Sequence, residues 1–195
     1  MNDALFSVKD QVVIVSGGSR GIGKAIAAGF GERGAQVVIT GRDEKTLAET
    51  SDQLEGQIKG KVCDVAQAED IAALVEHVVA EHGRIDTLVN VAGVNRRKPA
   101  LEISDDDYDF VMDINLKGAF LLSQAVGQHM VSQRAGSQIN ITSLNNDRPL
   151  KNVAPYAMSK AAMGQMTRAL ALEWGADGVR VNGLAPGFIQ TDLTE

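Results

Sequence analysis

Short runs of β-branched residues alternate along this chain with longer amphipathic stretches, and this alternation limits the possible folds more than any other feature. Runs rich in Val and Ile predict six strands, at residues 12–15, 36–40, 58–63, 86–90, 138–142 and 179–184. Apolar residues at helical spacing predict helices at residues 21–33, 43–54, 67–82, 104–133 with one break, and 156–174. Such alternation is typical of a parallel sheet covered by helices on both faces. We therefore expect an α/β protein with a doubly wound parallel sheet.

The composition fits one globular domain and argues against several kinds of partner. The chain has 195 residues, 44% of them hydrophobic, without a repeat or linker, so we treat residues 1–195 as a single domain. A net charge of −6 gives no basic surface for nucleic acid. No run approaches the ~20 apolar residues that span a bilayer, and the polar start MNDALFSVKDQ lacks a secretory signal. We expect a cytoplasmic protein without nucleic-acid or membrane partners.

Residues that could bind a metal have simpler structural explanations. Residues 105–107 are all Asp and follow Ser104, and carboxylates after a serine N-cap suit the helix dipole. The single cysteine, Cys63, lies in the apolar run KVCDV, which favours a buried strand position over a reactive thiol. None of the 3 histidines has ligand-like spacing. We predict no metal site.

A glycine-rich turn, SGGSRGIG, joins the first predicted strand to the first predicted helix. Its glycines let the backbone approach a pyrophosphate, and the following helix N-terminus faces that negative charge. Glycine occurs in any tight turn, but a position in the first strand–helix unit is the context that a dinucleotide site requires. The turn therefore predicts cofactor contacts at Gly17, Ser19, Arg20, Gly21, Ile22 and Gly23.

The residues after the second strand bear on the choice between NAD and NADP. An acidic residue there binds the ribose 2′-hydroxyl of NAD, whereas an arginine accommodates the 2′-phosphate of NADP. This chain has Thr40-Gly41-Arg42 and a second cation, Arg20, in the glycine turn. Two guanidinium groups that converge on one phosphate favour NADP, with NAD still possible. The alternative is that both arginines are solvated surface residues.

Tyr156 and Lys160 lie one helical turn apart, and Ser143 precedes them. A free tyrosine has a pKa of about 10 and is a poor acid–base catalyst at neutral pH. A cation four residues later on the same helix face favours the phenolate. A serine hydroxyl directed at the same point can hold a carbonyl oxygen. With a dinucleotide turn, these residues indicate a carbonyl/alcohol oxidoreductase.

These motifs resemble those of the short-chain dehydrogenase/reductase family over essentially the whole chain. SGGSRGIG is similar to its T-G-x-x-x-G-x-G turn, NVAG to its N-N-A-G motif and S…YAMSK to its S…Y-x-x-x-K set. Ser16 and Val91 depart from the family's threonine and asparagine; the first keeps a hydroxyl, and the second concerns local stability more than chemistry. The resemblance implies a Rossmann fold. It also implies cofactor contacts at Asp64, Val65, Asn90, Ala92, Gly93, Tyr156, Lys160, Pro186, Gly187, Ile189 and Thr191.

The same resemblance implies how the reaction proceeds. Tyr156 would act as general acid in reduction and as general base in oxidation. Lys160 would lower the tyrosine pKa and bind the nicotinamide ribose, and Ser143 would hold the carbonyl oxygen. Asn115, in DINLKGAF, stands where the family has a catalytic asparagine and would anchor a water relay. We expect an NAD(P)-dependent enzyme that transfers a hydride between cofactor and a carbonyl or secondary alcohol.

The substrate is less clearly indicated. The cationic segment Arg96-Arg97-Lys98 follows the fourth strand, near the expected nicotinamide end. We assign Arg96 and Arg97, with Ser143 and Tyr156, as candidate contacts to an anionic small molecule. The segment resembles family members that act on sugar acids or polyols. Alternatives are a 3-oxoacyl thioester reductase, because an acidic carrier protein could bind the same cations, and a merely solvated loop.

Two further expectations come from the resemblance. The chain ends at TDLTE, where family members continue, so we expect the C-terminal substrate lid and last strand to be absent. Small and apolar residues on the helices at 104–133 and 156–174 suggest a homo-oligomer, a dimer or a tetramer. A non-catalytic dinucleotide-binding protein is the alternative from a different functional class, because a fold does not fix a function.

Overall fold

The computed structural model describes residues 6–191. Six strands alternate with six α-helices in the order β1 Val12–Ser16, α1 Gly21–Gly31, β2 Gln36–Gly41, α2 Glu44–Gln53, β3 Gln57–Val62, α3 Ala68–His82, β4 Thr87–Asn90, α4 Asp105–Met112, α5 Ala119–Gln133, β5 Gly136–Ile141, α6 Ala154–Trp174 and β6 Val179–Leu184. A π-helical turn, Asp113–Gly118, joins α4 to α5 and is the break expected between residues 104 and 133. The predicted sequence of elements is confirmed.

The six strands form one parallel sheet with the order β3-β2-β1-β4-β5-β6. This is the order of a Rossmann fold, in which the direction of winding reverses between β1 and β4. The predicted doubly wound sheet is therefore confirmed. The reversal leaves a crevice at the carboxyl ends of the central strands, where open α/β sheets bind ligands.

The core has two parts, one on each face of the sheet. Successive side chains of β1 point to opposite faces, so Val12 and Ile14 join one hydrophobic cluster, and Val13 and Val15 join the other. All four are at most 1% exposed. A strand buried on both faces must be apolar at every position, which explains the run VVIV. This buried strand is the rigid base of the glycine turn.

Some boundaries differ from the sequence-based prediction. α1 ends at Gly31, because the chain then turns through Gly34 in the left-handed conformation, with φ of +80°. β3 ends at Val62, so Cys63 lies just after the strand instead of within it, although it is buried as expected. No helix within residues 6–191 is long and apolar enough to cross a membrane.

Two expectations concern residues that the structure does not describe. The expectation of a missing lid depends on the chain end at 192–195, and the expectation that the polar start is not a secretory signal depends in part on residues 1–5. Both segments lie outside the described residues.

Candidate active site

A cleft of about 420 Å³ opens at the carboxyl ends of the strands. Ser143 lines it, as do nearly all the predicted cofactor contacts: Gly17, Ser19, Arg20, Gly21, Ile22, Gly23, Arg42, Asp64, Val65, Ala92, Gly93, Tyr156, Lys160, Pro186, Gly187, Ile189 and Thr191. Residues that are far apart in sequence meet here because parallel strands present their carboxyl ends at one edge. The cleft therefore contains both a dinucleotide turn and acid–base groups.

The glycine turn has the shape that a pyrophosphate needs. Gly17 has φ of +69°, and a Cβ there would lie 2.8 Å from the Ala92 backbone. A Cβ on Gly23 would collide with the carbonyl oxygen of Gly17. The N-cap residue of α1, Arg20, provides no side-chain cap, so the first N–H groups of the helix are available to an anion. The residues present therefore fit a dinucleotide cofactor.

One arginine in the glycine turn, and one arginine and one carboxylate just after β2, bear on the choice of cofactor. Arg20 and Arg42 both line the cleft and are exposed. Asp43 is the N-cap of α2, and its carboxylate accepts hydrogen bonds from Thr46 Oγ1 (2.5 Å) and Thr46 N (2.7 Å). Those hydrogen bonds hold the pKa of Asp43 below its usual range. The acidic group nearest this strand end is therefore engaged in helix capping.

Lys160 is a buried cation beside Tyr156. Its side chain projects from α6 toward β5, where Nζ donates a hydrogen bond to the backbone oxygen of Ile141 over 2.7 Å. The residue is only 3% exposed, and burial lowers its pKa from 10.5 to about 8. Nζ lies 5.8 Å from the centre of the Tyr156 ring. The Lys160 ammonium thus lies beside the ring of Tyr156, one turn earlier on α6.

Asn115 lies beneath the cleft and is fully buried in the π-helical turn. Its Oδ1 accepts from Val94 N over 2.7 Å, and its Nδ2 donates to Val94 O over 2.9 Å. Nδ2 also donates to Ser159 Oγ over 3.1 Å, and Ser159 Oγ donates to Tyr156 O over 2.8 Å. The asparagine therefore links the loop after β4 to the helix that carries the tyrosine. π-Helical turns occur frequently at functional sites.

Ser143 lies two residues after β5 and is 7% exposed. It is the N-cap of a short 3₁₀ turn, Leu144–Asn146, and its Oγ accepts from Asn145 N over 3.1 Å. The serine lines the same cleft as Tyr156 and Lys160. The structure thus brings the three predicted acid–base residues to one wall.

Asn90 is placed differently from the prediction. Its side chain is 2% exposed and does not line the cleft. Its Nδ2 donates to Ser123 Oγ and to Asn140 Oδ1, each over 2.9 Å. Asn140 in turn donates to Thr167 Oγ1 over 2.9 Å. The Asn90 side chain therefore belongs to a buried polar link between β4, β5 and the helices α5 and α6, and the cofactor contact at this residue stays a prediction.

The cationic segment after β4 makes contacts of its own, and its contact with an anionic substrate stays a prediction. Neither Arg96 nor Arg97 lines the cleft. The Arg96 guanidinium stacks 4.2 Å from the centre of the Phe110 ring, and its Nε lies 3.8 Å from Asp107 Oδ1. Lys98 Nζ donates to Asp107 Oδ2 over 2.5 Å, which is the main reason that the pKa of Asp107 falls to about 2. Two of the three cations thus fasten their loop to α4, and only Arg97 has no carboxylate within ion-pair distance among residues 6–191.

The other candidates for metal binding have structural roles. Ser104 Oγ accepts from Asp107 N, and the Asp107 carboxylate accepts from Ser104 N, so the predicted N-cap is a full capping box. Burial raises the pKa of the Cys63 thiol to about 12, which argues against a reactive thiolate. Within residues 6–191, no three His, Cys, Asp or Glu side chains come close enough to hold a metal.

Several cleft residues were not predicted from the sequence. They are Thr40, Gly41, Cys63, Val91, Ile141 and Thr142, which end strands or directly follow them, together with Val94 in the loop after β4 and Ile114 in the π-helical turn. The rule that ligands bind at the carboxyl ends of parallel strands would have found most of them. Asn145 and Ser159 lie behind the cleft, where they form hydrogen bonds with Ser143 and Asn115. No motif in a single sequence identifies them as site residues.

Comparison with known proteins agrees with this geometry. The profile of the short chain dehydrogenase family matches residues 11–195. The chain belongs to the short-chain dehydrogenase family. This family member is 37% identical over 194 residues to a gluconate 5-dehydrogenase of Gluconobacter oxydans, an alignment that covers 98% of this chain and 76% of that one.

Two further relatives of this dehydrogenase are informative. A 3-oxoacyl-acyl-carrier-protein reductase of Thermotoga maritima is 36% identical over 96% of this chain and 78% of its own length. The crystal structure of a gluconate 5-dehydrogenase from Burkholderia cenocepacia in complex with NADP and tartrate superposes with a TM-score of 0.91 at 34% identity, covering 97% of this chain and 76% of that chain. The short-chain dehydrogenase described here is thus an NAD(P)-dependent oxidoreductase.

Proposed function

We propose that this enzyme interconverts a carbonyl and a secondary alcohol on a sugar acid or polyol, with NADP(H) as the preferred cofactor. The observation that carries the proposal is the convergence of Ser143, Tyr156 and Lys160 on the cleft that holds the glycine turn. A bound nicotinamide would supply or accept the hydride. The protein would supply oxygen binding, proton transfer and orientation.

Each of these tasks has a candidate residue. Tyr156 Oη would give the proton to the substrate oxygen in reduction and take it back in oxidation. The buried Lys160 ammonium would stabilise the phenolate and bind the nicotinamide ribose. Ser143 Oγ would donate a hydrogen bond to the same substrate oxygen. Asn115 would position the tyrosine helix through Ser159 and anchor a relay of water molecules for the proton.

The preference for NADP rests on the end of β2. Arg42 just after β2 and Arg20 in the glycine turn both border the cleft, and Oδ1 of the nearby Asp43 carboxylate accepts from Thr46. A 2′-phosphate would gain two guanidinium donors, whereas a 2′-hydroxyl would share the Asp43 carboxylate with Thr46. The NADP complex of the Burkholderia gluconate 5-dehydrogenase supports the same preference.

The sugar-acid class is supported by relatives more than by side chains of the cleft. The Gluconobacter gluconate 5-dehydrogenase and the tartrate complex both point to hydroxylated carboxylates. Arg96 stacks on Phe110 and faces Asp107, so we now favour Arg97 as the cation that would meet an anionic substrate. Arg96 remains a candidate substrate contact, and its guanidinium also holds the loop against α4.

The test is NADP(H)- and NAD(H)-linked turnover of the purified chain on gluconate, 5-ketogluconate, polyols and 3-oxoacyl thioesters. We expect turnover on a sugar acid or polyol and a higher kcat/KM with NADP(H). Turnover on 3-oxoacyl thioesters alone would instead favour acyl reduction, as the Thermotoga relative suggests. Cofactor binding without turnover on any of these compounds would favour a non-catalytic dinucleotide-binding role.

We also propose that the chain forms a homo-oligomer through α5 and α6. A groove of about 960 Å³ between these helices is lined by apolar residues that include Phe120, Val131, Met166 and Trp174. Phe120 is 40% exposed although it is large and apolar. Light scattering should give the mass of a dimer or tetramer, and Phe120→Glu should reduce it. Leu101→Glu, on a separate and fully exposed turn, is the control.

A cytoplasmic location is proposed from the sequence and can be tested with a tagged chain.

A further inference from the structure

We propose that Asn145 is a positioning residue that fixes the direction of the Ser143 hydroxyl, so that Ser143 can donate a hydrogen bond to the substrate oxygen but cannot accept one from it. The inference rests on the proposed function, in which Ser143 binds that oxygen. It adds a residue outside the predicted set and assigns a direction to one hydrogen bond in the reaction.

Asn145 donates twice to the same oxygen. Its backbone N lies 3.1 Å from Ser143 Oγ, and its side-chain Nδ2 lies 3.3 Å from the same atom. Both residues are 7% exposed, so water has little access to these contacts. The 3₁₀ turn that begins after Ser143 creates this arrangement, because it folds the asparagine back over the serine.

The orientation of the Asn145 amide is fixed by a third contact. Its Oδ1 accepts from Leu150 N over 3.0 Å. A backbone N–H is only a donor, so the amide atom that faces it must be the oxygen. The NH₂ group therefore faces Ser143. A flipped amide would direct two donors at each other near Leu150.

The consequence follows from the bonding capacity of a hydroxyl. A serine Oγ has one proton and two acceptor lone pairs. The two donors of Asn145 occupy both lone pairs, and the proton remains. Since Ser143 lines the cleft, that proton is directed to a ligand oxygen there.

This arrangement assigns the proton of an alcohol substrate to Tyr156. In oxidation, the substrate hydroxyl needs an acceptor for its proton. Ser143 has no lone pair left, and the Lys160 ammonium is a donor only. The phenolate oxygen of Tyr156 is then the available acceptor. In reduction, Ser143 and Tyr156 both donate to the carbonyl oxygen, as its developing negative charge requires.

Asn145→Asp is the decisive substitution because it keeps the shape and reverses one hydrogen bond. One carboxylate oxygen still accepts from Leu150 N. The other carboxylate oxygen takes the place of the NH₂ group that faced Ser143. An acceptor then stands where a donor was, and it attracts the Ser143 proton away from the cleft. We expect kcat/KM to fall about 100-fold, as on removal of one donor to a developing oxyanion. Cofactor affinity should stay within about threefold, because Asn145 does not line the cleft.

Two controls separate this effect from added charge and from loop damage. Asn152→Asp introduces the same charge on the same loop, at an exposed residue away from Ser143; we expect less than about a threefold change. In a Ser143→Ala background, Asn145→Asp should cost less than about threefold, because the hydroxyl it acts on is gone.

The outcomes separate this inference from the proposed function. Equal losses from Asn145→Asp with and without the Ser143 hydroxyl would overturn the inference, as would an equal loss from Asn152→Asp. Full activity of Ser143→Ala would instead refute the assigned role of Ser143.

Neutron crystallography of the perdeuterated wild-type chain decides the direction without any turnover. The Ser143 deuterium should point into the cleft. A deuterium directed at the Asn145 side chain would overturn the inference, even if the purified chain proved inactive on every substrate or Asn145→Asp failed to fold.

Discussion

The ammonium of Lys160 donates a 2.7 Å hydrogen bond to the backbone oxygen of Ile141, and this contact holds a buried charge at the carboxyl end of β5. Burying a cation costs free energy, and one hydrogen bond offsets only part of that cost. The lowered pKa of Lys160, about 8, reflects this cost. We therefore expect the buried Lys160 ammonium to lower the free energy of unfolding, although it places a cation beside the tyrosine.

Lys160→Met should increase stability at pH 7 while it abolishes turnover. The lysine pKa is 10.5 in the unfolded chain and about 8 in the folded one, so between these values the unfolded chain binds more protons. Wild-type stability therefore rises with pH across that window. Without cofactor, we expect Lys160→Met to be about 1–3 kcal/mol more stable at pH 7, and the difference should shrink as pH approaches 10.5.

Urea unfolding at pH values from 7 to 10 measures this difference. Lys45→Met is the matched control, because the Lys45 side chain is 84% exposed. It should leave the pH dependence unchanged. A stability difference between wild type and Lys160→Met that did not vary with pH would contradict the expected titration.

Tyr156→Phe should remove the proton donor and leave the cofactor cleft intact. We expect kcat to fall by about 10²–10⁴, the usual contribution of general acid–base catalysis. The cofactor dissociation constant, measured by fluorescence titration, should stay within about threefold. The other tyrosine, Tyr108, lies on α4 and is 39% exposed. Tyr108→Phe should retain wild-type turnover, and near-normal turnover in Tyr156→Phe would refute the acid–base assignment.

Arg42→Ala should weaken NADPH selectively. Loss of one charge-assisted hydrogen bond to the 2′-phosphate should raise the KM for NADPH about tenfold, which corresponds to ~1.4 kcal/mol. The KM for NADH should hardly change, since NADH lacks that phosphate. Arg33→Ala is the control, because Arg33 is exposed, bonds to Gly29 O and does not line the cleft. Equal effects of Arg42→Ala on both cofactors would show that the arginine does not read the 2′-phosphate.

Asp107→Asn should destabilise the loop that carries Arg96 and Lys98. The carboxylate of Asp107 has its pKa lowered from 3.8 to about 2, chiefly by the hydrogen bond from Lys98. Its contribution is therefore complete above pH 4 and lost as pH falls through about 2. The urea midpoint of Asp107→Asn should be lower than that of wild type at pH 7, and the two should converge in acid. Asp106→Asn, in the same helical turn but exposed, should follow wild type throughout.

Much of the fold and the cleft could be predicted because the signals are local. The glycine turn, the strand–helix alternation and the Tyr156–Lys160 spacing each depend on neighbours in sequence. Parallel strands then bring their carboxyl ends together wherever the helices cross over. Nearly all the predicted cofactor contacts therefore meet in one cleft without any knowledge of side-chain packing.

The placements that differed from prediction depend on distant partners. Asn90 turns into the core because β4 pairs with β5, so that Asn140, 50 residues away, meets its amide. Arg96 contacts Phe110 and Asp107 on α4, and the sequence alone does not show how that helix is oriented.

By itself, the sequence determined the family and the sheet and indicated candidate acid–base residues, because periodicity and turn chemistry are encoded over short spans. Only the tertiary structure decided which polar side chains face the cleft and which face one another. Asn145 shows the reason most clearly: its role depends on a 3₁₀ turn that directs one amide at Ser143 and Leu150 together. A hydrogen bond depends on the direction of its groups as well as their identity, and that direction is set when the chain packs.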